Sequence, residues 1–162
     1  FVDPIIATDP PMDKLRRGNI MARVRMILLY DHAKKQNALV VGTENKTEHL
    51  LGYFTRFGDE ASDIEPLRNL YKTEVYALAR LLNLPEKILK NAPPAGLWDG
   101  QTDEGEFGFT YKEADEILLM IVDKKQSIDE VVLKGYDRAT VEKVMKRMKD
   151  NAYKHHLPLI PQ

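Results

Sequence analysis

Ala38-Leu39-Val40-Val41-Gly42-Thr43 is a short, unbroken apolar run that ends on a glycine and a hydroxyl. No polar residue interrupts it, so it reads as a strand buried on both faces, as strands of parallel sheets are. Residues 14–36, just before it, carry helical periodicity. Ile20, Val24, Ile27 and Leu28 fall on one face, with Arg23, Arg25, Lys34 and Lys35 off it. A further helical stretch starts at Asn45, just after the run. Helix, strand and helix in that order make half of a parallel α/β unit, and the chain is read as α/β.

The remaining segments are punctuated clearly. Residues 1–13 hold three prolines and read as an extended approach. Residues 58–66, GDEASDIEP, have turn chemistry and read as a loop. Tyr71 to Leu82 is helical, stopped by Asn83 and Pro85, with a short helix running on to Asn91. Residues 92–108 hold two prolines and four glycines among acidic groups and read as one long polar loop. Three helices are expected in the C-terminal third. Thr110 with Glu113 and Ser127 with Glu130 form capping boxes for the first two, and Asp137 caps the third. With 162 residues and no repeat or linker, residues 1–162 are read as a single domain.

Charge and composition narrow the function. Lys and Arg number 24 against 25 Asp and Glu, so the surface is not the basic one that a general nucleic-acid binder needs. No apolar stretch approaches a membrane span. The absence of cysteine excludes disulfides, thiolate-held zinc and a thiol nucleophile within these residues, and it sets a cytoplasmic expectation.

Several side chains then stand out. In open α/β sheets ligands bind at the carboxyl ends of the strands, where Thr43 lies. Glu48 falls in the first turn of the next helix. Its carboxylate suits Mg²⁺, which takes oxygen ligands and is often shared with phosphates, but Asn45 and Glu48 also form a capping-box pattern. Arg23, Arg56 and Lys72 sit near segment ends, either as anion clamps or as solvated surface charges. Asp63 either accepts hydrogen bonds from a ligand or caps the turn before Pro66. Trp98 either stacks on a ring or latches the glycine loop. The histidines, His32, His49, His155 and His156, show no zinc spacing and read as surface residues.

Taken together, Gly18-Asn19-Ile20, Ala22-Arg23-Val24-Arg25-Met26, the block VVGTENKTEHLLGYFTRFGDEASDIEPLRNLYKTEV from Val40, and AGLWDGQTDE from Ala95 resemble ammonia-dependent NAD synthetase. The match runs from about Gly18 to the C-terminus. It implies a Rossmann-like parallel sheet of the adenine nucleotide alpha-hydrolase type, in the N-type ATP pyrophosphatase group. It also implies a carbon-nitrogen ligase. Such an enzyme adenylates the nicotinate carboxylate of deamido-NAD with Mg·ATP, then lets ammonia displace AMP. No nucleophilic side chain is required; positioning, cations and Mg²⁺ suffice. By the same resemblance Thr43 and Lys72 contact ATP and Glu48 is the magnesium ligand. Arg23, Arg56, Asp63, Tyr153 and Lys154 contact deamido-NAD, and a homodimer is expected.

Two positions depart from the family pattern. Pro94 stands where relatives commonly have a hydroxyl residue that touches ATP, and Tyr153 replaces a histidine beside Lys154. The family's pyrophosphate loop, SGGxDS, does not occur in these residues, and the chain opens on Phe1 rather than Met. It is therefore expected to be the C-terminal portion of a synthetase, inactive alone. The other readings are a non-catalytic nucleotide-binding or dimerisation module and a related ATP pyrophosphatase such as GMP synthetase.

Overall fold

The computed structural model describes residues 2–9, 11–90, 97, 100–156 and 160. Nine α-helices run through them: α1 (Val2–Ile6), α2 (Lys14–Gln36), α3 (Lys46–Leu51), α4 (Lys72–Leu81), α5 (Glu86–Lys90), α6 (Asp103–Phe107), α7 (Tyr111–Leu118), α8 (Ile128–Leu133) and α9 (Arg138–Asn151). A π-helical segment, Leu119–Asp123, prolongs α7, and a 3₁₀ turn, Ala152–His155, follows α9. No described helix is long and apolar enough to cross a membrane.

Helix ends fall where local chemistry puts them. Asp13 accepts a hydrogen bond from the Arg16 amide at the start of α2, and Asn37 closes that helix in the left-handed conformation with φ 52°. Asn45 and Glu48, Thr110 and Glu113, and Ser127 and Glu130 all form reciprocal capping boxes. Asp137 accepts from the Thr140 amide at the start of α9. The helical C-terminal third is as the sequence predicts.

Two helices lie where irregular chain is expected. α1 forms despite Pro4 because that proline sits in the first turn, where a missing N–H costs nothing. α6 forms inside the glycine-rich loop: Asp103, Glu104 and Glu106 complement its amino end, and Gly108 closes it at φ 71°.

Of the expected parallel sheet, the described residues carry one element. Among the described residues the Val-rich run forms one isolated parallel bridge, Val41 to Ile64, rather than a strand in a sheet. The Gly42 amide donates to the Ile64 carbonyl at 2.8 Å and the Ile64 amide to the Val40 carbonyl at 3.2 Å. Val40 is buried, but Leu39 and Val41 are 63% and 59% exposed, so the run is not covered on both faces. The face of α2 differs likewise. Gly18 and Ala22 are its buried residues, whereas Ile27 and Leu28 face solvent.

The core is built on α7 instead. Ala114, Ile117 and Leu118 are fully buried there, against Leu51 of α3 and Val141 and Val144 of α9. Amphipathic periodicity explains this: α7 turns its apolar stripe inward at each helical repeat. Leu51 pins the short α3 to this core.

Candidate functional site

The amino ends of α3 and α4 meet where the Lys72 amide donates to Thr47 Oγ1, and Thr43 lies two residues before Asn45, the N-cap of α3. Glu48 is the third residue of α3, and its Oε2 accepts from the Asn45 amide at 3.2 Å to complete the capping box. Its other oxygen, Oε1, lies 2.8 Å from Lys72 Nζ, the first residue of α4. The two side chains are 17% and 14% exposed, so the pair is partly desolvated and in reach of a ligand. One carboxylate thus serves as both cap and ion-pair partner. The sequence poses cap against ligand for Glu48; the geometry shows the cap and leaves the second oxygen facing a cation.

Thr43 is exposed at the turn that precedes this junction. Asp63 lies across the bridge from it, and its Oδ2 accepts from the Val40 amide at 2.8 Å. That contact makes Asp63 a brace of the Val40–Gly42 segment rather than a cap for the turn before Pro66.

The C-terminal 3₁₀ turn closes another side. Lys154 Nζ donates to the Gly52 and Phe54 carbonyls at 2.6 and 2.9 Å. Burial, and then the nearby Arg147 charge, push its ammonium below the usual lysine range. Arg56 hydrogen bonds the His156 carbonyl and lies over the Phe57 ring. Arg56 and Lys154 therefore share one end of the site with Tyr153, whose ring is exposed. Arg23 is exposed on α2, with its guanidinium 3.5 Å from the Asn19 carbonyl of its own helix, and Asn19 Oδ1 accepts from Thr55 Oγ1 of the loop that holds Arg56 at 2.9 Å. Pro94 and Trp98 lie outside the described residues.

A second polar cluster is one that sequence reasoning does not foresee. Glu44 is buried between His49 and Arg68, with its oxygens 3.2 Å from His49 Nδ1 and 3.0 Å from Arg68 Nη1. Burial raises its carboxyl above the usual range, opposed by the hydrogen bond from His49 and the charge of Arg68. His49 is thus a half-buried member of a network rather than a surface residue, and its ring centroid lies 4.0 Å from that of His155. His32, His155 and His156 are exposed, as expected.

Among the described residues no group of three or more His, Cys, Asp or Glu could hold a metal alone. Glu48 offers a single carboxylate, with Oε2 engaged by the Asn45 amide and Oε1 by the Lys72 ammonium; Mg²⁺ completed by substrate phosphates and water needs only one such group. Chemically, the arrangement offers a carboxylate and an ammonium at a helix junction, and two further cations where the 3₁₀ turn meets the loop after α3.

Residues 5–158 match the NAD synthase family. The chain belongs to that family. It is 43% identical over 160 residues to the NH(3)-dependent NAD(+) synthetase of Fusobacterium nucleatum, covering 99% of this chain and 62% of that protein. To the enzyme of the same name from Thermococcus kodakarensis it is 50% identical over 151 residues, covering 93% and 59%. Among solved structures, the NMN synthetase of Francisella tularensis superposes with a TM-score of 0.82 at 39% identity, over 99% of this chain and 62% of that one. The NH3-dependent NAD synthetase of Campylobacter jejuni, in complex with nitrate, gives 0.78 at 36% identity, with the same coverage. The chain thus spans about three-fifths of the length of these relatives. Its fold is that of solved NAD synthetases, within which the helical C-terminal third takes its place.

Proposed function

We propose that this chain belongs to an ammonia-dependent NAD synthetase and supplies part of its nucleotide site. The observation that carries the reading is the Glu48–Lys72 pair, set where the amino ends of α3 and α4 meet. In this reading the nicotinate carboxylate of deamido-NAD attacks the α-phosphorus of ATP and pyrophosphate leaves. Ammonia then attacks the activated carbonyl carbon, and AMP departs. Lys72 and the Thr43 hydroxyl hold the ATP phosphates. Arg56, Lys154 and Arg23 give the anionic dinucleotide its cationic surroundings, with Asp63 and Tyr153 as polar partners. Glu48 would hold Mg²⁺, which when bound neutralises phosphate charge. A homodimer and a cytoplasmic location go with this reading. So does a Rossmann-like parallel sheet of the adenine nucleotide alpha-hydrolase type, with Val40–Gly42 as one strand, supported by the parallel bridge at Val41.

A second reading differs in substrate size. The likeness to a Francisella tularensis NMN synthetase supports nicotinate mononucleotide as the acid that is amidated.

One experiment separates them. The chain is joined to the part of the Fusobacterium nucleatum relative that it does not cover, and product is measured from ammonium, Mg·ATP and either acid. NAD formed from deamido-NAD, in preference to NMN from the mononucleotide, is the expected result. The chain alone, which contains no SGGxDS loop, is expected to give no product. A folded chimera that amidates neither acid overturns both readings and favours a non-catalytic nucleotide-binding or dimerisation module.

A further inference from the structure

Helix α4 caps itself only in part: Glu74 accepts from the Tyr71 amide at 2.7 Å, but no side chain of its own takes up its first amides. Tyr71 stands at the N-cap position, where Ser, Thr, Asp or Asn would ordinarily accept from the first free amides. Its hydroxyl instead donates to Asp123 at 3.1 Å. The free amides of α4 are taken up by side chains remote in sequence. The Lys72 amide donates to Thr47 Oγ1 of α3 at 2.9 Å, and the Thr73 amide to Asp115 Oδ2 of α7 at 2.7 Å. Thr47 in turn donates its hydroxyl proton to Asp115 Oδ1 at 2.5 Å. Both side chains are buried, at 0% and 4% exposure.

A buried carboxylate is a costly way to hold helices together. A well-packed apolar side chain of similar volume would serve stability as well or better. What the carboxylate adds is direction: its two oxygens fix two donors from two different helices at set distances. Those donors flank the site. Thr47 adjoins Glu48, and the amides belong to Lys72 and Thr73.

The π-helical segment reinforces the same register. Eight residues of pure α-helix make about 2.2 turns, whereas a wider π turn takes up extra residues and returns Asp123 close to the face of Asp115. Asp123 thereby reaches Lys46 Nζ at 2.7 Å as well as Tyr71. From one face, α7 and its extension hold the amino ends of both α3 and α4.

We propose that Asp115 and Thr47 are positioning residues of the nucleotide site: they fix the first turn of α4 against the first turn of α3 and so hold Lys72 Nζ at Glu48. This rests on the reading of Lys72 and Glu48 given under the proposed function. Asp115 acts through Thr47 and the Thr73 amide.

The test uses the chimera described under the proposed function and two independent readouts. The first needs no ligand: the order parameter of the Lys72 ammonium nitrogen by ¹⁵N relaxation. Thr47→Val removes the hydroxyl at constant shape. Asp115→Asn keeps the volume and one acceptor and is the milder change of the two. Both are expected to lower the order of the Lys72 ammonium, and Thr47→Ser to restore it. Thr110→Ala, which cuts the capping box of α7 without touching α4, is expected to leave it unchanged. Folded Thr47→Val and Asp115→Asn variants with a Lys72 ammonium as ordered as the wild type overturn the proposal. So does an equal loss in Thr110→Ala, which would mark general loosening. The second readout is Mg·ATP affinity, expected to fall about 10–100-fold in Thr47→Val and to recover in Thr47→Ser. An unsubstituted chimera that binds no Mg·ATP counts against the proposed function, while the ammonium measurement still decides the positioning role. An unsubstituted chimera that binds while Thr47→Val binds equally well overturns the positioning role.

Discussion

Lys72 Nζ lies 2.8 Å from Glu48 Oε1, and the same Glu48 carboxylate closes the capping box of α3 through its other oxygen. The two functions of Glu48 are thereby separable by substitution. Its cap needs an acceptor, which an amide supplies; its pairing with a cation needs charge, which an amide lacks.

Glu48→Gln is therefore expected to fold normally, with stability lowered by no more than about 1 kcal/mol, the ordinary scale of a partly exposed ion pair. Its affinity for ATP should no longer rise when Mg²⁺ is added. Glu48→Ala should also lose cap stability, about 0.5–2 kcal/mol. Thermal unfolding and titrations with and without Mg²⁺ decide the matter. A Glu48→Gln chain whose ATP affinity depends on Mg²⁺ as in the wild type would show that the carboxylate is a cap and no more.

The cap was legible in the sequence and its partner was not, and the reason is distance along the chain. Asn45 and Glu48, or Thr110 and Glu113, interact three residues apart, so spacing alone reveals them. Thr47 and Asp115 are separated by 68 residues, and Glu44 and Arg68 by 24. No local pattern marks those pairs. Buried Asp115 reads in sequence as another charged residue of an amphipathic helix. The Val-rich run is legible only in part for a related reason: it reports what the run would bury, not which neighbours cover it, and among the described residues it makes one parallel bridge. Glu48 and Lys72, which the family resemblance names for different roles, are paired in the structure across 24 residues of chain.

Gly52 joins α3 to the loop under Lys154, at φ 63°. A Cβ there would stand 2.3 Å from Asn151 Cβ, an atom fixed to the α9 backbone that cannot swing aside. Gly52→Ala thus combines left-handed strain with a clash against α9, together about 2–5 kcal/mol. Gly108 also has positive φ, but a Cβ there meets nothing within 4 Å. Gly108→Ala should cost only the strain, about 1–2 kcal/mol. Urea unfolding of the two variants compares them directly; equal losses would mean that α9 yields to the new methyl group.

Leu51 is fully buried in the α7 core and is the last residue of α3. Leu51→Ala should destabilise the chain by about 2–5 kcal/mol, through lost burial and the cavity left behind. Because α3 carries Glu48, hydrogen exchange of the Glu48 and His49 amides should quicken by more than that of the α8 amides. Uniform acceleration across both helices would place Leu51 outside any special link between core and site.

The caps of the C-terminal helices make stability depend on pH in a defined direction. Glu113 accepts from the Thr110 amide at 2.8 Å and from the Thr110 hydroxyl at 2.7 Å. These two bonds hold its carboxyl below the ordinary glutamate value of about 4.3 in the folded chain. Glu130 and Asp137 are lowered in the same way by Ser127 and Thr140. A folded value below the unfolded one means that the unfolded chain takes up protons first as pH falls. The stabilisation is complete above the unfolded value, declines below it, and is gone once the folded carboxyl is also protonated. Asp115 titrates in the opposite sense, because burial raises its carboxyl; protonation there relieves a cost as pH falls. Comparing wild type with Glu113→Gln isolates one cap from this background. The wild type should be the more stable at pH 7, and its advantage should shrink through the acid range below about 4.3 and vanish beneath the folded value. Urea titrations of both proteins at a series of pH values measure it. An advantage that persists undiminished in acid would show that the neutral carboxyl caps α7 as well as the carboxylate does.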